Sequence, residues 1–307
     1  MKALQLHQVG RVESIFYEEA PKPSPKDDEI LIRVSAATIM PTEFDWYPTF
    51  HTPEGKARTF PIILGHEFSG VVEVIGPACT GVRIGDLVYG LNDWFINGAQ
   101  AEYCVTVPAN VAPKPVVLDH AQAAAVPISA LTAWQALIDR AQLSGGQRIL
   151  IHGAAGGVGS FAVQLARHLK AYVIATASAA NANLVKMLGA DEVIDYRRIP
   201  FETVVRDVDV VLDTVGGETR DRSWGVLNPG GQLVTIAADA ERMTEPRVRD
   251  AFFIVEPKRA QLIEISRLID SSVIRPIVGA VYPMEHFRRA YEQKPMYGKH
   301  VLGISDL

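Results

Sequence analysis

The rhythm of hydrophobic and polar positions changes once along the 307-residue chain, near Ala121. Before that point, short runs of branched and aromatic residues alternate with Pro/Gly turns, the pattern of strands. It predicts strands at Lys2–His7, Glu29–Ser35, Gly70–Ile75, Asp86–Leu91 and Ala101–Val107. Ala20-Pro21-Lys22-Pro23-Ser24-Pro25 reads as a stiff loop, because proline brings no amide donor to a ladder. After it, Ala-rich helical text leads to Gly145-Gly146, and strands then alternate with helices. Those strands are Arg148–His152, Tyr172–Thr176, Glu192–Asp195, Val208–Asp213, Gln232–Ala237 and Phe252–Val255. Between the first two, Val158, Phe161, Ala162, Leu165 and Leu169 recur at helical spacing. Asn181–Leu188 is the next helix, stopped by Gly189, and Pro257 sits at the first turn of another. Six strands with crossovers predict an α/β fold with a doubly wound parallel sheet. The expected domains are 1–122, completed by the strand-and-turn text of 271–307, and 123–270.

Composition narrows the function classes. Thirty Lys+Arg against thirty-five Asp+Glu give a net charge of -5, and no basic run stands out, which argues against a nucleic-acid partner. Two cysteines, Cys79 and Cys104, exclude a disulfide framework and a multi-cysteine zinc lobe. No apolar run approaches the ~18 residues of a membrane span. The N-terminal MKALQLHQVGRVES has no apolar signal region, and Ser305-Asp306-Leu307 lacks the Lys of a peroxisomal address. The expectation is a cytoplasmic protein.

The strongest chemical signal is Ile149-Leu150-Ile151-His152-Gly153-Ala154-Ala155-Gly156-Gly157-Val158-Gly159-Ser160. An apolar strand enters a glycine-rich turn and then an amphipathic helix. Such a turn lets the backbone approach a pyrophosphate, whose charge rests on the helix N-terminus. Ala154 replaces the first glycine of the G-x-G-x-x-G pattern, while Gly156 and Gly159 fill the others. Sites for NAD place an acid at the end of the second strand, about 20 residues past the first glycine. Here that strand ends Ala177-Ser178-Ala179-Ala180-Asn181, with no acid to repel a 2′-phosphate. Ser178 and Asn181 can donate to such a phosphate, and Tyr196-Arg197-Arg198 can come near it or form a solvated loop. The preferred cofactor is NADP(H).

Other templates fail. Leu143-Ser144-Gly145-Gly146-Gln147 spells an ABC-ATPase signature, but no Gly-Lys-Ser/Thr phosphate loop accompanies it. Neither Gly-x-Ser-x-Gly nor His-Glu-x-x-His occurs. The short-chain dehydrogenase pair Tyr-x-x-x-Lys is also missing.

Gly65-His66-Glu67-Phe68-Ser69-Gly70, followed by Gly76, Gly81 and Gly85-Asp86-Leu87-Val88, resembles the signature of medium-chain dehydrogenases/reductases. So do Leu188-Gly189-Ala190-Asp191 and Asp213-Thr214-Val215-Gly216-Gly217, and the resemblance covers nearly the whole chain. With Pro127 and Leu131-Thr132-Ala133-Trp134 it is closest to the zinc-free quinone oxidoreductase branch. The resemblance implies a GroES-like β-rich catalytic domain beside a Rossmann domain, an active site in the cleft between them, and a homodimer through the cofactor domains. It also implies that Thr132 packs the nicotinamide face and that the stretch holding Phe253 passes the carboxamide, although a buried edge strand explains Phe252–Val255 equally well.

In the zinc-dependent relatives the catalytic ligands fall at positions that here are Met40, His66 and Ile128. Zinc needs three protein ligands, and a thioether is a poor one. The expected enzyme is therefore zinc-independent and reduces quinones or α,β-unsaturated carbonyls, acceptors that carry their own charge sink. Candidate groups in its substrate site are Asp45 and Tyr47, which can donate a proton or orient a carbonyl, and His66. Phe44, Trp46 and Tyr47 equally well pack their loop, and His66 equally well is a hydrogen-bonded loop residue. The cofactor candidates are Thr132, Ala155, Gly156, Gly157, Val158, Gly159, Ser178, Asn181, Tyr196 and Phe253. Alternative functions are a zinc alcohol dehydrogenase with other ligands and a noncatalytic, crystallin-like NADPH-binding protein.

Overall fold

Strand Ile30–Thr38 is buried along almost its whole length, which suits its near-continuous apolar text. It lies at the centre of a seven-stranded sheet in a computed structural model that describes residues 1–305. The final two residues of the Ser305-Asp306-Leu307 tail lie outside the described residues. The sheet runs Val278–Pro283, Lys299–Gly303, Ile30–Thr38, Glu67–Ile75, Leu87–Leu91 and Val111–Pro113, with Tyr103–Thr106 also paired to Ile30–Thr38. Phe68, Val72, Val88 and Cys104 pack with Ile30, Ile32 and Val34 in its core. A smaller sheet joins Ile15–Glu19, Lys2–Leu6 and Ile62–Ile63.

The chain divides into two compact units. One comprises Met1–Ile128, Pro257–Ser272 and the segment from Pro276 onward; the other comprises Ser129–Glu256 and Val273–Arg275. Helix Arg259–Asp270 thus departs from the expected boundary of 123–270. Its Leu262 carbonyl accepts from the buried Tyr89 hydroxyl at 2.6 Å. Arg259 donates to the carbonyls of Pro108, Val111 and Gly81. Pro257 precedes this helix rather than sitting in its first turn; Lys258 is the N-cap.

The second unit holds a five-stranded parallel sheet in the order Glu192–Asp195, Tyr172–Ala177, Arg148–Ile151, Val208–Asp213, Leu227–Thr235. The crossovers reverse direction between Arg148–Ile151 and Val208–Asp213, the place where open α/β sheets bind ligands at their carboxyl ends. The predicted sixth strand, Phe252–Val255, is reduced to one parallel bridge between Thr235 and Phe252. Just beyond this segment, Gln135 holds the backbone of Glu256. Its side chain accepts from the Glu256 amide at 3.1 Å and donates to the Glu256 carbonyl at 2.8 Å, so both backbone groups of that residue are satisfied. Among the described residues no helix is long and apolar enough to cross a membrane.

Candidate active site

The glycine-rich turn forms because two of its positions admit no side chain. Gly153 has φ +69°, and a Cβ there would lie 2.3 Å from Thr214 Oγ1. At Gly159 a Cβ would lie 2.3 Å from the Gly153 carbonyl oxygen and 2.7 Å from Ala154 Cα. Helix Gly157–His168 can therefore start hard against the end of strand Arg148–Ile151. Its N-cap, Gly156, offers no side chain to the first amides. Ala155, Gly156, Gly157, Val158 and Gly159 thus form a backbone cradle of the kind that suits a diphosphate.

Beneath the turn, His152 is buried with both ring nitrogens engaged, Nδ1 3.0 Å from Thr176 Oγ1 and Nε2 2.9 Å from Ser223 Oγ. Burial pushes its pKa down to about 4, against the opposing charge of Asp213. Asp213 is itself fully buried and accepts from the amides of Val215 and Gly216 and from Thr235 Oγ1. It holds the turn that follows strand Val208–Asp213, a role the sequence motif alone does not reveal.

At the end of strand Tyr172–Ala177, Ser178 accepts the Asn181 amide on its carbonyl at 2.9 Å. Ala177 pairs with Asp195, and the Tyr196 amide reaches the Ala177 carbonyl at 3.4 Å. Ser178, Asn181 and Tyr196 therefore share one corner of the sheet. Tyr196 is 56% exposed, with the Arg197 guanidinium 5.7 Å from its ring centre. Thr132 is buried within helix Pro127–Trp134. Phe253 is buried too, and the Arg140 guanidinium lies 4.8 Å from its ring centre.

In the first unit the Gly65-His66-Glu67 segment aims two consecutive side chains at different partners. His66 is buried, with Nε2 3.3 Å from Glu43 Oε1, while Nδ1 has no hydrogen-bond partner. The Glu43 carboxylate also accepts the Gly65 amide at 3.0 Å. Glu43 raises the pKa of the Tyr291 hydroxyl further above its ordinary value, after the larger effect of burial. The His66 ring packs against Trp94 at 5.2 Å, and Trp94 meets Trp46 edge to face, also at 5.2 Å. Glu67 is fully buried and takes the Lys299 ammonium, the Thr38 hydroxyl and, at 2.8 Å, the Ile128 amide. Burial lowers the pKa of Lys299, against the opposing charge of Glu67.

The other two candidates lie differently. Tyr47 stacks flat on His51, ring centres 4.3 Å apart. Asp45 is half-exposed and bound to Arg11 at 2.7 Å, so its carboxylate is engaged in a surface ion pair. Sequence reasoning misses Glu43 and Trp94. Glu43 carries a faint signal, an acid three residues beyond Met40 in the same loop as Asp45 and Tyr47, and Trp94 carries none.

The three positions equivalent to zinc ligands do not fit that ion. Ile128 offers hydrocarbon, Met40 a thioether, and His66 has one nitrogen turned to Glu43. Among the described residues no group of three or more His, Cys, Asp or Glu side chains is placed to hold a metal. The Cys104 thiol, pushed up to about 12 by burial, behaves as a small apolar core residue.

Residues 26–116 match the alcohol dehydrogenase GroES-like domain, and 188–302 match a zinc-binding dehydrogenase domain. A probable zinc-binding oxidoreductase, mitochondrial, from Arthroderma benhamiae is 32% identical, over 95% of this chain and 93% of its own. An NADPH-dependent alkenal/one oxidoreductase, chloroplastic, from Arabidopsis thaliana is 31% identical over 99% of this chain and 78% of its own. Among solved structures, the quinone oxidoreductase from Coxiella burnetii superposes with a TM-score of 0.88 at 28% identity, covering 99% of both chains. The chain belongs to the medium-chain dehydrogenase/reductase superfamily and is an oxidoreductase of that type.

Proposed function

We propose that this protein reduces quinones or α,β-unsaturated carbonyl compounds with NADPH and without a catalytic metal. The observation that carries the reading is the side-chain set at the metal position: Met40, Ile128, and a His66 committed to Glu43. Without a Lewis acid, nothing lowers the pKa of an alcohol or stabilises an alkoxide. An enone or quinone needs less help, because it delocalises the incoming charge onto its own oxygen. The names of the Arabidopsis and Coxiella relatives agree with such acceptors.

When bound, the nicotinamide supplies the hydride. In the second unit, the cradle from Ala155 to Gly159 holds the diphosphate, and Ser178, Asn181 and Tyr196 surround the 2′-phosphate. Thr132 and Phe253 are assigned to the nicotinamide end. In the first unit, Trp94 and Trp46 provide apolar contact for a flat acceptor. His66, oriented by Glu43, keeps one nitrogen available to move a proton, and the Tyr47 hydroxyl is the second candidate. Asp45 is left out, because Arg11 already occupies it.

The test follows NADPH absorbance with a panel of quinones, enones, aldehydes and alcohols under identical conditions. Reduction of at least one enone or quinone, faster than any alcohol oxidation with NADP, is the expected result. Alcohol oxidation exceeding every enone and quinone rate would overturn the reading.

A further inference from the structure

Three donors from three separate chain segments converge on the Glu67 carboxylate, in a place without solvent. They are Thr38 Oγ1 from strand Ile30–Thr38, the Lys299 ammonium from the C-terminal strand, and the Ile128 amide at 2.8 Å. Each of the positions that holds zinc in metal-dependent relatives lies on or beside this hub. Ile128 donates to it directly, His66 is its chain neighbour, and Met40 follows Thr38 by two residues. Among the described residues no metal-ligating set ties those positions together. A buried carboxylate stripped of water is tolerated only when its charge is paired and its lone pairs are hydrogen-bonded, and Glu67 meets both conditions.

We infer that Glu67, paired with Lys299, is the positioning residue that holds the Met40, His66 and Ile128 segments in register for the acceptor. The activity part of this inference rests on the function proposed above; the structural part does not. Glu67 touches neither acceptor nor cofactor in this role. Its effect passes through the Ile128 amide, through Thr38, and through the backbone it shares with His66. Cofactor affinity, which is assigned to the other unit, should therefore be unaffected.

The test compares the wild type with the double variant Glu67→Gln/Lys299→Met. Replacing a buried ion pair by neutral groups of similar size often leaves stability unchanged, so this pair separates positioning from stability. The expected result is a retained thermal midpoint, an NADPH dissociation constant within about twofold, and kcat/KM for the acceptor lowered about tenfold or more. Hydrogen–deuterium exchange should also accelerate in peptides around 38–43, 64–68 and 126–130, with peptides across 148–177 unchanged. A double variant with kcat/KM within twofold of wild type and unaltered exchange would overturn the inference. So would a parallel loss of NADPH binding, which marks general damage. If the double variant does not fold, Glu67→Asp, which keeps the charge and shortens the reach, is judged by the same criteria. The exchange measurement needs no acceptor, so it decides this inference even where the wild type reduces no enone or quinone.

Discussion

Ser178 and Tyr196 leave neighbouring parallel strands one residue past the paired Ala177 and Asp195, and so face the same corner of the nucleotide unit. No carboxylate follows Ala177 up to Asn181, and this is the corner proposed above for a 2′-phosphate. Ser178→Asp should weaken NADPH and strengthen NADH. A hydrogen bond to a charged group contributes about 1.5–3 kcal/mol, and losing one while adding repulsion corresponds to about 10–100-fold in the NADPH dissociation constant. Fluorescence titration of both cofactors measures the change. Equal or tighter binding of NADH by the native protein would remove the basis of the NADPH assignment.

The residues at the metal position lead to a second expectation, in tension with the zinc-binding descriptions of one matching domain and one relative. Purified protein should contain zinc well below one ion per chain, and strong chelators should leave its activity unchanged. Elemental analysis that finds one tightly held zinc per chain would reinstate alcohol oxidation as the preferred chemistry.

The His66–Glu43 pair supplies a third. General acid–base groups typically contribute about 10²–10⁴-fold to a rate. His66→Gln should lower kcat toward an enone within or below that range while leaving the NADPH dissociation constant unchanged. Glu43→Gln should produce a smaller loss of the same kind, since the amide can still accept from Gly65 but no longer carries the charge that orients the imidazole. Unchanged kcat in His66→Gln would return this histidine to a purely structural role. Stopped-flow traces of NADPH oxidation separate the chemical step from binding.

What can be read from this sequence follows the reach of each signal. Arg148–Ile151, Glu192–Asp195, Val208–Asp213 and helix Gly157–His168 stand close to their predicted bounds, because periodicity, glycine turns and helix stops are local. Ile15–Glu19 is missed: its text, IFYEE, is mostly exposed and pairs only with Lys2–Leu6. Phe252–Val255 looks like a strand but keeps only the bridge from Phe252 to Thr235, beyond which the Ala237 amide turns to the Thr235 hydroxyl. The same limit governs the candidate site. The cofactor cradle is one continuous motif and is legible. His66 is legible too, but its partners Glu43 and Trp94 come from other loops, and the Glu67–Lys299 pair spans 232 residues of sequence. Asp45 illustrates the converse. Its neighbours mark it as chemistry, while Arg11, far away in sequence, claims it.

His152 leads to a prediction about stability and pH. Its folded pKa is lowered to about 4 from an ordinary value of 6.5, chiefly by burial. The unfolded chain therefore binds the proton more readily than the folded protein. The favourable contribution is complete above pH 6.5 and shrinks as pH falls toward 4. Below that it changes no further, because both states are then protonated. At 1.36 kcal/mol per pKa unit, the loss across this window is about 3 kcal/mol. The ring nitrogens meet the hydroxyls of Thr176 and Ser223, and Phe201 packs edge-on at 4.5 Å, so an added charge would be buried among hydroxyls and an aromatic ring. Urea denaturation at a series of pH values should show the midpoint of the wild type falling between pH 6.5 and 4. His152→Gln, less stable at neutral pH, should show a flatter profile over that interval. Parallel profiles for the two proteins would mean that His152 accepts its proton in the folded state as easily as in the unfolded one, contrary to its burial.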